Sequence, residues 1–125
     1  NPRVTDYYYV TFASAFGNDP VKAVNALAKR NKAAIAKWGS TGGFVTGPAA
    51  IDGIRTAINR AGGSTDGAKL AAVMEKFKNV PTLSGKVSFS KQLHTVFGRS
   101  YRVIRVQNNV PRVIGTVKAK VIPKI

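Results

Sequence analysis

Apolar positions along this chain first alternate, then recur every three to four residues, then alternate again. Residues 7–12 (YYYVTF) are aromatic and β-branched, which predicts a strand buried on at least one face. Residues 13–18 are small and loop-like. Asp19 and Pro20 then mark a helix start, because Asp19 can accept bonds from the first free N–H groups and Pro20 suits the first helical position. Val21, Val24, Leu27, Ala28, Ala34, Ile35 and Trp38 follow at helical spacing, and Gly39 ends the run. Lys22, Lys29, Arg30, Lys32 and Lys37 fall mostly off that stripe and predict a solvated face.

Residues 40–47 form a glycine-rich connector, and Pro48 is expected to open a second helix. Its apolar line is Ile51, Ile54, Ala57, Ile58 and Ala61, with Arg55 and Arg60 turned away and Gly62 and Gly63 as the stop. Ser64, Thr65 and Asp66 offer three caps for a third helix, whose buried stripe is Leu70, Val73, Met74 and Phe77. Asn79, Val80 and Pro81 close it, since Pro81 cannot continue a helix and restricts Val80. Residues 86–89 alternate as a half-buried strand does, and 91–100 are irregular. Residues 101–106 predict a strand that turns at Asn108 and Asn109, where positive φ is tolerated. The return strand, 110–121, carries Pro111, which assigns it an edge, and Gly115, which predicts a bulge. The tail, 122–125, is expected to fray. The order is strand, three helices, strand, β-hairpin: an α/β chain without repeats or low-complexity segments.

Composition adds one unusual fact. Twenty Lys and Arg stand against five Asp and Glu among 125 residues, a net charge of +15. Such a surface attracts polyanions and anionic membranes. One explanation is a small basic nucleic-acid-binding domain; the other is that the matching carboxylates lie elsewhere in a longer parent chain. The dispersal of the cations favours the second. The apolar share of 44% suits a globular core, and no apolar run approaches the ~20 residues of a membrane span. Without cysteine, disulfides, thiolate zinc clusters and thiol nucleophiles are excluded.

Catalytic motifs are scarce. His94 is the single histidine, so a metal site has few ligands to draw on, and no nucleophile motif accompanies it. Residues 62–69 (GGSTDGAK) superficially resemble a phosphate loop but lack the Gly-Lys-Ser/Thr ending and a preceding strand. They read as helix punctuation. Residues 99–105 (RSYRVIR) interleave basic and aromatic side chains, yet Arg102 and Ile104 share one strand face while Tyr101, Val103 and Arg105 share the other. Neither face alone makes an aromatic-plus-basic platform. No enzyme chemistry and no cofactor is expected.

Several stretches together carry a resemblance: Ala50-Ile51-Asp52-Gly53, then Ala57 to Gly62 (AINRAG), then Gly63-Ser64-Thr65-Asp66-Gly67, then Leu83 to Phe89 (LSGKVSF), then the strand at 101–106. In this order they resemble the C-terminal part of a type I periplasmic (extracellular) solute-binding protein of the branched-chain amino acid ABC importer family. Ile51 departs from it, standing where a Tyr commonly precedes the Asp. The resemblance implies part of a two-lobed fold. Residues 1–13 would be a strand of the C-terminal lobe leading into a crossover, 14–98 a portion of the N-terminal lobe, and 99–125 the strands returning to the C-terminal lobe. It implies capture of a small organic solute (an amino acid, amide or aromatic acid) between the lobes and delivery to a membrane permease, in the periplasm or at the cell surface. It implies a missing N-terminal half as partner. An isolated copy would then expose apolar surface and tend to homo-oligomerise; no specific nucleic acid is implied.

Within that frame Tyr9 and Phe12 belong to an aromatic cluster with Tyr7, Tyr8 and Phe16, one face core and the other available to the cleft. Phe44 and Thr46, just before the expected helix start, would approach the cleft, where free N–H groups suit a carboxylate. His94 reads first as a loop residue near a lobe crossing and second as ligand-facing.

Overall fold

Local punctuation sets most element boundaries. The computed structural model describes residues 2–38, 43–94, 96 and 99–120. The elements in chain order are β1 (Tyr7–Thr11), α1 (Lys22–Arg30), α2 (Lys32–Trp38), α3 (Gly43–Arg60), α4 (Gly67–Met74), β2 (Val80–Thr82), β3 (Gly85–Val87), β4 (Ser100–Gln107) and β5 (Val110–Lys118). This is a mixed α/β architecture. The expected order changes in two ways: the first helix is two helices, and a second β-hairpin replaces the isolated strand at 86–89.

The first helix breaks at Asn31. Its backbone N–H and its side-chain Nδ2 both bond to the Leu27 carbonyl, at 3.1 and 2.9 Å, which ends α1. Asn31's own carbonyl accepts from Ile35 at 3.0 Å and starts the next turn. The expected stop, Gly39, lies outside the described residues. Asp19 is not the cap: Val21 holds the N-cap position, with no side-chain cap bond. The cationic side chains of α1 and α2 are exposed, as the pattern predicts.

Pro48 does not open α3 but lies inside it. A proline there lacks the N–H that would reach the carbonyl four residues back. The buried stripe is also rotated from expectation. Val45, Ala49, Gly53 and Ala57, four residues apart, are buried, while Ile51 and Ile54 are 63% and 43% exposed. Small side chains face inward, and the larger isoleucines are left outside. At the C-terminus, Gly62 and Gly63 adopt φ of 66° and 85°, and Gly63 N–H bonds to the Ile58 carbonyl at 2.9 Å. This is a Schellman-type stop that side chains with a Cβ resist. Asp66 caps α4, accepting from Lys69 N–H at 2.9 Å.

Helix α4 stops at Met74, before the expected closure, and Pro81 instead sits in β2, opposite Lys86. Phe77 is fully buried just beyond α4 and anchors a core with Ala57, Val80 and Val87, against which Leu70, Val73, Met74 and Phe89 pack. A second cluster joins Ala13, Val24 and Val45, flanked by Phe12, Val21 and Leu83. Asp52 on α3 ties the hairpin down, accepting from Leu83 N–H at 2.9 Å.

The larger sheet has the order β1-β4-β5, wholly antiparallel. Asn108 and Asn109 have φ of 51° and 66°, the two positive values that the β4–β5 turn requires. Val103 faces Gly115 and Ile104 faces Val113, so Ile114 is the extra residue of the predicted bulge. Pro111 lies on β5, an edge strand. Tyr7 and Tyr8 are more than half exposed and Tyr9 is half-buried, so the β1 aromatics contribute less to the core than their composition predicts. The expected end of the return strand and the tail at 121–125 lie outside the described residues. No helix among the described residues is long and apolar enough to cross a membrane.

Candidate functional site

The helical segment and the three-stranded sheet are joined by a buried ion pair. Arg102 donates from Nε to Asp19 Oδ2 at 3.0 Å and from Nη2 to Asp19 Oδ1 at 2.9 Å. Its Nη1 reaches the carbonyls of Phe12 and Ser100, at 2.6 and 3.1 Å. Asp19 also accepts from the backbone N–H groups of Ser14 and Val21. Both charges are thus desolvated yet fully occupied, so the pair is a rigid joint.

Beside this joint stands Arg99. Its guanidinium carbon is 4.5 Å from the Phe12 ring centroid and 5.5 Å from that of Tyr101. Its Nε is buried with no hydrogen-bond partner. Arg99 lines two adjoining hollows. One, of about 260 Å³, is walled mainly by apolar groups of α3, α4 and the β2–β3 hairpin, among them Ala49, Ile54, Met74, Val87 and Phe89, with Thr46 at its rim. The other, of about 330 Å³, is basic, with Lys86 and Lys118 beside Ser100 and Thr116.

The structure therefore distributes the five sequence candidates. Thr46 lines the 260 Å³ hollow, and Phe12 lies under the Arg99 guanidinium without lining either hollow. Phe44 is half-buried in the first turn of α3, not before it, and does not line the 260 Å³ hollow. Tyr9 faces Ile104 across the sheet, with the Tyr7 ring 5.9 Å away. Partial burial and the neighbouring Tyr7 raise the Tyr9 phenol above the ordinary tyrosine value. His94 is exposed on a loop; its Nε2 lies 3.0 Å from Glu75 Oε1. Among the described residues no three His, Asp or Glu side chains cluster as metal ligands would. Arg99 itself was missed: its signal, a basic residue beside Tyr101, was legible, but Phe12 is a neighbour only in space.

The outer sheet face differs from the reading of β4 alone. Register places Tyr8 and Arg112 beside Arg105, and Val10 and Gly115 beside Val103. The face is thus both aromatic and basic. Arg105, however, is held by Asp6, Nη2 to Oδ1 at 2.6 Å, and that hydrogen bond raises its already high pKa.

No protein-family model matches the chain, and no curated protein does. Solved structures that share its fold include two solute-binding proteins. A leucine-binding protein, LivK, from Thermotoga maritima MSB8 is 22% identical with a TM-score of 0.62, over 92% of this chain and 31% of its own. A solute-binding protein of an ABC transporter from Rhodopseudomonas palustris HaA2, solved in complex with p-hydroxybenzoic acid, is 19% identical with a TM-score of 0.63, over 92% of this chain and 32% of its own. The chain spans about a third of the length of each. Its fold is that of part of a type I periplasmic binding protein.

Proposed function

We propose that this chain is one part of a two-lobed ABC-importer receptor, which captures a small organic solute without covalent chemistry and hands it to a membrane permease. The observation that carries this reading is the fold shared over 92% of the chain with two solute-binding proteins. In this reading residues 14–98 belong to the N-terminal lobe, and 1–13 and 99–125 to the C-terminal lobe. Phe12 and Arg99 then stand at two lobe crossings, and the hollows beside Arg99 open where the lobes meet. The Asp19–Arg102 pair spans the same junction and keeps the crossings in register while the lobes hinge. The receptor works in the periplasm or on the cell surface.

The remaining two thirds of such a receptor would cover Ile51 and Ile54 on α3 and the open edges of the sheet. It would also supply the carboxylates that balance +15. Alone, the chain is expected to self-associate through those apolar groups.

Equilibrium dialysis of the complete reading frame that contains these residues, against amino acids, amides and aromatic acids, tests the function. One solute bound at one site per molecule, with a smaller radius of gyration on binding, is expected. Failure to bind any solute, or chemical turnover of one, overturns it.

A further inference from the structure

Arg99 differs from the other arginines near it. Arg102 is paired with Asp19 and Arg105 with Asp6, and no ion pair among the described residues includes Arg99. Its position comes from two ring faces, and its buried Nε has no acceptor. Stacking fixes a guanidinium in plane while leaving its forked N–H groups free for a planar anion. A partly desolvated guanidinium without a counter-charge is costly unless an anion completes it.

The surroundings define that anion. On one side lies the apolar hollow of about 260 Å³. A closed apolar cavity of roughly 150 Å³ holds benzene, so this one accommodates a single ring or a short branched chain. On the other side Lys86 and Lys118 add positive charge. None of the residues lining either hollow is acidic. An ammonium group on the solute would be set among three cations with no carboxylate to receive it.

We infer that the solute is an apolar carboxylate without an ammonium group, its hydrocarbon body in the α3–α4 hollow and its carboxylate on the Arg99 guanidinium. This rests on the solute-capture reading and narrows its solute class: an organic acid, not an amino acid or an amide. Thr46, at the rim, borders the solute body. Phe12 and Tyr101 are positioning residues for Arg99.

The test is calorimetric titration of the complete reading frame that contains these residues with three probes of one shape: phenylacetate, phenylglycine, which adds the ammonium, and phenylacetamide, which removes the charge. Phenylacetate is expected to bind at least about tenfold more tightly than either, a difference of ~1.4 kcal/mol. Arg99→Gln should erase the preference, and Arg99→Lys should keep part of it, because a point charge replaces a fork. Ile54→Trp, which fills the hollow and leaves Arg99 intact, should weaken phenylacetate binding and serves if the Arg99 variants do not fold. Equal affinity for the three probes, a preference unchanged by Arg99→Gln, or no binding of phenylacetate overturns the inference. The dialysis of the complete reading frame judges solute capture separately, since a receptor that binds an amino acid or amide there keeps that function and loses this solute class.

Discussion

Asp19 and Arg102 lie 83 residues apart in the chain and share two parallel N–H···O bonds, of 2.9 and 3.0 Å, with both side chains buried. Removing one member leaves the other charge buried without its partner, at a cost of about 3–5 kcal/mol. Asp19→Asn and Arg102→Met should each lower the free energy of urea unfolding by about that much. The double variant Asp19→Asn with Arg102→Met should cost less than the two single losses added together. Strict additivity would show that the two side chains are not energetically coupled.

Phe77 is the largest fully buried side chain among the described residues and touches both the α3 and the hairpin sides of its core. Phe77→Ala should cost about 3–5 kcal/mol, the range for truncating a core aromatic. Phe77→Leu should cost clearly less. Arg60 lies over the same ring, 5.2 Å from its centroid, so the Ala variant also removes that contact. Denaturant midpoints of the two variants provide the comparison, and near-equal midpoints would contradict this account of the core.

The Tyr9 phenol is held above the ordinary tyrosine value by burial and, second, by Tyr7. A raised folded-state value means that the folded chain keeps its proton where the unfolded chain loses it. The contribution is therefore whole below the unfolded tyrosine value of ~10 and is lost as pH rises through the folded one. Unfolding midpoints should fall on the alkaline side of about pH 10, and Tyr9→Phe should flatten that fall. Parallel pH curves for the two proteins would remove Tyr9 from the effect.

Features governed by neighbouring residues were legible in the sequence. Gly62 and Gly63, Asp66, the Asn108–Asn109 turn and the bulge at Ile114 each depend on backbone preferences within a few positions, and each is where the pattern places it. The resemblance to a type I solute-binding fold rested on the order of such signals, and the fold likeness agrees with it. Features settled by distant partners were not legible. Asp19 looks like a cap until Arg102 arrives from the far end of the chain. The α3 stripe looked isoleucine-lined because helical spacing fixes a period but not which of two overlapping faces turns inward; in the fold Ala49, Gly53 and Ala57 do. Pro48 read as a start because a proline more often stands at a first turn than inside a helix. Of the residues around the two hollows, Phe12 and Thr46 were proposed from composition and position, whereas Arg99 required knowing that the strand at 100–107 returns beside the first one.

That return has a consequence for biosynthesis. Tyr9 on β1 pairs with Ile104 on β4, so β1 must wait for the intervening helices and hairpin to be translated before it meets this partner. At roughly 5–20 residues per second the delay lasts several seconds, during which a tyrosine-rich ribbon with unmet N–H and C=O groups is a template for mispairing between nascent chains.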